Sequence, residues 1–87
     1  MQTTEYFENK LTQNEQGIER AWVETAYYSP ECIVTHENGR VSHYAKINRQ
    51  GGQYLRVILL KDKRTVKDAF FERHFRPKKH LSRARRG

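Results

Sequence analysis

The chain of 87 residues has one cysteine, two prolines and no long apolar run. Cys32 alone cannot form an internal disulfide, which favours a reducing compartment. A helix that crosses a bilayer needs about 20 mostly apolar residues, and residues 1–10 lack the basic segment and apolar stretch of a signal peptide. We therefore expect a cytoplasmic protein that neither spans a membrane nor is exported.

Acidic side chains are absent from residues 73–87. That segment holds seven cations: Arg73, Arg76, Lys78, Lys79, Arg83, Arg85 and Arg86. The other residues are formally neutral, because ten of the seventeen Lys and Arg remain there against ten Asp and Glu. Basic segments of this kind bind polyanions, and nucleic acid is the commonest polyanion that they bind. We expect residues 76–87 to be a flexible tail that binds nucleic acid; a tail that only keeps the protein soluble is the alternative.

Motifs for metals and cofactors are also missing. The four histidines are scattered, no HExxH or paired CxxC spacing occurs, and Gly51-Gly52 belongs to a turn rather than a phosphate-binding loop. The sequence therefore predicts neither a metal nor a cofactor. A domain of this size has little room for a deep cavity, so we expect any site to be a shallow groove on one face.

Two helices are predicted near the start of the chain. The first begins at Thr3-Thr4-Glu5, where a threonine can cap it, and fades near Gln13. The second has an apolar stripe at helical spacing, formed by Ile18, Ala21, Trp22, Thr25 and Ala26. Pro30 ends it. Thr12–Glu15 has the spacing of a capping box for this helix, although Asn14 could be the cap, or the two helices could run together.

The pattern then changes to the alternation of strands. Cys32–His36 and Val41–Ile47 flank Asn38-Gly39, a strong hairpin signal. A two-residue type I′ turn there would place Asn38 and Gly39 at positive φ and pair Ile33 with Tyr44. The apolar face of this hairpin should meet the helices, and it would contain Cys32, Val34, His36, Val41, His43, Ala45 and Ile47.

Two further strands complete the predicted domain. Tyr54–Leu60 is nearly continuous apolar sequence, as in a central strand, and Thr65–Phe71 follows a turn. We therefore expect a single α+β domain over residues 1–75. In it, two N-terminal helices pack on a four-stranded antiparallel sheet, and the basic C-terminal tail of residues 76–87 follows.

Arg56 is a cation within an otherwise apolar strand, and burying an unpaired charge is costly. Alternation places it on the face away from the helices, near Tyr44 and Lys46. A guanidinium fork suits phosphate and a tyrosine ring suits base stacking, so this face could bind a phosphodiester. The alternative is an ion pair of Arg56 with Glu37, Glu72 or a helix acid.

The histidines differ in their expected roles. His36 and His74 flank strand ends and are accessible for acid–base chemistry, while an arginine can stabilise the charge that develops on phosphorus. His74 stands between Arg73 and Arg76 and is a candidate general base. His43 lies on the apolar hairpin face, where a hydrogen-bonded core histidine is the usual interpretation.

Four segments of the chain share a pattern with a known group of proteins. They are Ile18–Pro30 with Trp22-Val23, the turn Asn38-Gly39-Arg40, Tyr54–Ile58, and Ala69–Arg73. Together they resemble small bacterial proteins of unassigned function that look like distant relatives of the RelE/ParE/BrnT toxin superfamily. The resemblance covers roughly residues 4–75, although relatives usually have aspartate in the place of Glu72. It implies two helices over an antiparallel sheet.

RelE-type members are ribosome-dependent mRNA endonucleases, and ParE-type members bind gyrase. The resemblance therefore implies an RNA- or ribosome-directed protein, an endoribonuclease toxin, with an antitoxin or other protein as partner. Arg56 and Arg73 stand where strand arginines occur in nuclease members. With them we predict His74 or Tyr44 for proton transfer or stacking, and Lys46 and the tail cations for nucleic-acid contact. Relatives often have a histidine where this chain has Tyr6-Phe7.

The alternative function is a non-catalytic module. In that case the same fold would dock on a protein partner or a nucleoprotein complex through its sheet face, with the basic tail as anchor. A nuclease should lose its function when one proton-transfer residue is removed. A binding module should lose it gradually as charge is removed.

Overall fold

Two helices pack on one face of a five-stranded mixed sheet. The computed structural model describes residues 1–48 and 51–75. Its elements are β1 (Gln2–Thr3), α1 (Glu5–Gln13), α2 (Arg20–Tyr28), β2 (Cys32–Thr35), β3 (Val41–Ile47), β4 (Gln53–Leu59) and β5 (Thr65–Glu72). The strand order is β1-β5-β4-β3-β2. The predicted α+β class is confirmed.

The predicted four-stranded antiparallel sheet is wrong by one strand. β2 to β5 are antiparallel neighbours, and β1 adds a parallel pair in which Gln2 lies opposite Thr65 and Thr3 opposite Val66. A strand of two residues has no alternation to detect. Its place beside β5 is set by tertiary contacts, including a hydrogen bond from the Thr4 N–H to the Val66 carbonyl at 3.0 Å.

The first helix forms as its sequence predicts. Thr4 is the N-cap, and its Oγ1 accepts a hydrogen bond from the Phe7 N–H at 3.1 Å. Such a bond satisfies one of the amide groups that a helix start leaves without a partner. Phe7 is buried on the side of α1 that faces the sheet, where this helix packs over β5. The helix ends at Asn14, which has left-handed backbone (φ 49°).

The second helix begins later than predicted. Because Asn14 closes α1, residues 14–19 form a loop and Arg20 starts α2, so Thr12–Glu15 is not a capping box. Ile18 belongs to this loop and not to the helix. It is nevertheless buried, so an apolar residue stands at a position that also matches the spacing of the predicted stripe. The predicted end is confirmed, because α2 stops at Tyr28 before Pro30.

The core lies between the helices and the inner face of the sheet. Its members are Phe7, Ile18, Trp22, Val23, Ala26, Val41, Ala45, Ile47, Leu55, Val57, Leu59, Val66 and Ala69. Trp22 belongs to the same cluster as Val57 and Leu59, and its ring meets that of Phe71 edge-on with centroids 6.0 Å apart. Alternation in β4 places its buried residues on the helix side, as predicted.

The β2–β3 hairpin has a three-residue loop, and the predicted type I′ turn is wrong. The His36 N–H donates to the Arg40 carbonyl at 2.8 Å, and the Gly39 N–H donates to the His36 carbonyl at 2.9 Å. Gly39 has a φ of 90°, whereas Asn38 is not at positive φ. Instead, the Asn38 Oδ1 accepts a hydrogen bond from the Arg40 N–H at 2.9 Å, which stabilises the longer loop.

This loop shifts the register of β2 by one residue. Ile33 pairs with His43 instead of Tyr44. Side chains alternate along a strand, so the shift turns every β2 side chain to the opposite face. Cys32, Val34 and His36 therefore leave the predicted apolar face, and Ile33 takes a place on the helix side at the sheet edge, where it is 56% exposed.

The predicted basic tail, residues 76–87, lies outside the described residues. Neither helix in the described part of the chain has the length and apolar character that a membrane crossing requires.

Candidate functional site

The sheet surface opposite the helices carries three of the predicted site residues: Tyr44, Lys46 and Arg56. We call this surface the open face. Its polar and aromatic side chains include those of His36, Ser42, Tyr44, Lys46, Tyr54, Arg56, Phe70 and Glu72. Tyr44 lies opposite Arg56, and Lys46 lies opposite Tyr54. The predicted proximity of Arg56, Tyr44 and Lys46 is thus present in the structure.

Three neighbours hold the Arg56 guanidinium. Its Nε donates to the Ser42 Oγ at 3.0 Å, and its Nη1 donates to the Glu72 Oε1 at 3.0 Å. Its Nη2 lies 3.4 Å from the His36 Nε2. The ion pair with Glu72 was one of the alternatives for Arg56, and it compensates a charge whose side chain is only 23% exposed. A guanidinium carries two N–H groups on each terminal nitrogen, so it can also donate to an oxyanion above the sheet.

Two aromatic rings flank the same guanidinium. The Arg56 Cζ lies 5.8 Å from the centroid of the Tyr44 ring and 5.5 Å from that of Phe70. These are cation–π distances. The rings and the ion pair together fix the orientation of the guanidinium on the open face.

His36 joins this cluster through Ser42. The Ser42 side chain is fully buried, and its Oγ lies 2.8 Å from the His36 Nε2. Because this Oγ accepts from Arg56, its own proton can go to His36. The neutral His36 tautomer with its proton on Nδ1 satisfies all three groups. The sequence analysis named His36 as a residue for acid–base chemistry, but the predicted type I′ register placed it on the apolar face, away from Arg56.

Tyr44 is covered by an aromatic ring from the segment after β5. The Phe75 ring stacks on it with centroids 3.8 Å apart and planes at 9°. Burial raises the pKa of the Tyr44 phenol above 10.0. The phenol therefore stays protonated at neutral pH. Of the two roles predicted for Tyr44, the geometry thus favours stacking over proton transfer as a general base.

A carboxylate lies at the β2 end of the open face. Glu31 accepts from the Lys46 N–H at 3.0 Å through Oε2 and from the Tyr54 hydroxyl at 3.4 Å through Oε1. Burial, followed by the negative charge of Glu31, raises the pKa of Tyr54. Tyr54 also meets Phe75 edge-on, with centroids 5.1 Å apart.

Arg73 and His74 occupy the turn after β5, and both are exposed. The structure thus brings together Arg56 and Tyr44 of the predicted catalytic set and places the other two in the neighbouring turn. Of the predicted nucleic-acid contacts, Lys46 is exposed on the open face. The other six, Arg76, Lys78, Lys79, Arg83, Arg85 and Arg86, lie outside the described residues.

His43 has a structural environment on the helix side. Its Nδ1 lies 3.2 Å from the carbonyl oxygens of Ala26 and Tyr27 at the end of α2. This is the hydrogen-bonded core histidine that the sequence predicts. Within residues 1–48 and 51–75, no three His, Cys, Asp or Glu side chains are grouped as a metal site would require.

A pocket of about 260 Å³ lies on the other side of the molecule, beneath the loop between the helices. Phe7, Leu11 and Ile18 form its apolar wall. Lys10 also lines it, but its ammonium is paired with Asp68 at 2.6 Å. The open face has the denser set of reactive and aromatic side chains, and we take it as the candidate site.

No protein-family model, curated protein or solved structure matches this chain. The interpretation of the open face therefore rests on its geometry.

Proposed function

We propose that this is a cytoplasmic, RNA- or ribosome-directed protein with a RelE-like fold, and that its open face binds single-stranded RNA. The observation that carries the proposal is the position of Arg56 between the rings of Tyr44 and Phe70. Proteins bind single strands by stacking bases on aromatic side chains and by placing cations along the phosphates. The basic tail supplies the sequence-independent attraction.

Arg56 is the proposed phosphate contact. Its ion pair with Glu72 spans 3.0 Å and is partly exposed, with side-chain exposures of 23% and 33%. The pair orients the fork while the face remains open to water, so an incoming phosphate can share the guanidinium with the carboxylate. A planar, pre-oriented fork is what bidentate recognition of phosphate requires.

Cleavage of the bound RNA is the second part of the proposal, and the position of His74 favours it. His74 is exposed two residues after Glu72, the ion-pair partner of Arg56. It can take the proton of a ribose 2′-hydroxyl as its oxygen attacks the adjacent phosphorus. Arg56 then faces the charge that develops on the phosphorane. A water molecule protonates the departing 5′-oxygen. The products are a 2′,3′-cyclic phosphate and a 5′-hydroxyl.

The experiment measures binding and cleavage with one set of variants. Arg56→Gln should weaken binding of a labelled single-stranded RNA by about tenfold, because it removes one charged hydrogen bond to phosphate. Arg20→Gln is the matched control, because Arg20 is also an arginine paired with a glutamate, Glu8, but it lies on α2. Equal effects of the two variants would contradict the open face as the site.

Cleavage is tested separately by incubating the protein with RNA and with translating ribosomes. Site-specific cuts that end in a cyclic phosphate, abolished in His74→Ala while RNA binding remains, would support the nuclease. Binding without cuts would leave a non-catalytic RNA-binding module. If neither RNA nor ribosomes are bound, docking on an antitoxin or another protein partner through the sheet face becomes the better interpretation.

A further inference from the structure

We infer that Tyr44 is a nucleobase subsite, and that Phe75 occupies it until a base of the RNA takes its place. The inference rests on the proposed function and extends it to one residue and one chemical group. Tyr44 is on the open face of the sheet, yet it is only 5% exposed.

The geometry of the ring pair is that of a stacked base. The Tyr44 and Phe75 centroids lie 3.8 Å apart with planes at 9°, a nearly parallel arrangement. Protein aromatic pairs more often adopt offset or edge-to-face arrangements with centroids further apart. Tyr54 borders the same space and meets Phe75 edge-on at 5.1 Å. Phe75 therefore lies in a slot that the Tyr44 ring lines with its face and the Tyr54 ring borders on one side.

The neighbourhood of the slot fits a nucleotide. Arg56 lies 5.8 Å from the Tyr44 ring, so a nucleotide with its base on Tyr44 can bring a phosphate to Arg56. Lys46, from the same strand, is exposed on the open face beside Tyr54. A base, a phosphate and a second cation site are thus adjacent on one surface, which is the arrangement of a single-strand binding groove.

Phe75 is held by local contacts that a ligand can replace. It follows the exposed turn Arg73-His74, and its N–H donates to the Glu72 carbonyl at 3.5 Å, the long limit of a hydrogen bond. Its ring is partly exposed, and it is absent from the core cluster. Base stacking on an aromatic side chain contributes to the affinity of single-strand binding. A nucleobase can therefore compete with the Phe75 ring for the same face of Tyr44.

The test compares the affinity of variants for a short labelled uridine oligonucleotide. Phe75→Ala should bind about two- to tenfold more tightly than the unmodified protein, because the competing ring is gone. Tyr6→Ala is the matched control, since it removes an exposed aromatic ring from α1, and it should leave affinity unchanged. Phe75→Leu, which keeps apolar bulk but cannot stack, should also tighten binding.

A second probe identifies the group that enters the slot. An abasic version of the oligonucleotide should show no gain from Phe75→Ala, because it has no base to stack. Circular dichroism of each variant checks that the fold is retained.

Two results overturn the inference and leave the proposed function standing. Weaker binding by Phe75→Ala would make Phe75 part of the binding surface itself, and unchanged binding would place the base elsewhere. If the unmodified protein and every variant fail to bind RNA, the proposed function and the inference are both wrong.

Discussion

Among single residues, Arg56 and His36 depend on one buried hydroxyl. Ser42 accepts from Arg56 and faces His36, so it links a cation to a proton acceptor without exposing either to full solvent. A buried polar group of this kind is stable only while its partners are present. Substitution of Ser42 would therefore disturb both neighbours together, which makes it unsuitable for separating their roles.

A residue-scale prediction concerns Asp62 in the turn between β4 and β5. Its carboxylate accepts from the Arg64 N–H at 2.8 Å, the Thr65 N–H at 2.9 Å and the Thr65 hydroxyl. These bonds, that of the Thr65 hydroxyl above all, lower the pKa of Asp62 below 3.8. A carboxyl with a lowered pKa stabilises the fold above its unfolded pKa, and this stabilisation disappears as pH falls through the folded value.

We therefore expect Asp62→Asn to melt at a lower temperature than the unmodified protein at neutral pH. The difference should shrink as pH falls below about 3.8, the value for an unfolded aspartate. Thermal melts of both proteins across this range measure it. A difference that stays constant with pH would show that the carboxylate charge does not stabilise the turn.

At the scale of elements, the β2–β3 hairpin decides which residues form the site. The one-residue register shift brings His36 to the open face and takes Ile33 away from it. The longer loop needs a left-handed residue only at Gly39, whose φ is 90°. An added Cβ there would also lie 2.8 Å from the Lys61 Cγ.

Gly39→Val should destabilise the fold by about 1–3 kcal/mol, because a β-branched residue is strained at positive φ. Asn38→Ala should cost less, about 0.5 kcal/mol, since it removes one exposed hydrogen bond. Urea unfolding of the two variants gives both values. If the hairpin tolerates valine at Gly39, this position does not need a left-handed backbone and the three-residue loop is wrong.

The register of β4 could be predicted from the sequence, whereas that of β2 could not. In β4, Arg56 interrupts the apolar run and identifies the outward face. In β2, the segment Cys32–Thr35 has no charged residue, so either set of side chains can face the core. An Asn-Gly pair suits both a two-residue and a three-residue loop. The choice depends on the Asn38 side chain, whose conformation is not visible in sequence.

The helices too could be predicted only where a local sequence pattern determines the structure. The start of α1 was predictable because Thr4 caps it through its own side chain. Residues 14–19 could not be recognised as a loop, because Ile18 is buried at a position that also fits the periodicity of α2. Likewise, the stacking of Phe75 on Tyr44 joins residues that are distant in sequence, and no local pattern reports it.

In the whole molecule, the residues that form the core and the cations that give the chain its net charge lie in different parts of the sequence. The core cluster of the described residues and the rings packed against it end at Phe71, and the tail cations begin at Arg76. Residues 77–87 contain five cations: Lys78, Lys79, Arg83, Arg85 and Arg86. Their proposed role is long-range attraction to RNA, while Arg56 binds one phosphate locally.

Deletion of residues 77–87 should leave the melting temperature unchanged and weaken RNA binding. The slope of log K against log salt should shrink by about 0.7 for each phosphate of a single strand that the tail no longer neutralises. Arg56→Gln should change that slope by no more than the amount for one phosphate. Salt titrations of both proteins measure this. A tail deletion that changes neither affinity nor slope would show that the tail only maintains solubility.

The parallel pair of β1 and β5 has a consequence for how the protein is made. Gln2 and Thr3 pair with Thr65 and Val66, and α1 lies over β5. During synthesis Gln2 and Thr3 leave the ribosome well before Thr65 and Val66 do. The meander from β2 to β4 can form from neighbouring segments, whereas β1 and α1 must wait for β5 to emerge. The segment with β1 and α1 is thus made before the meander but finds its native neighbours after it.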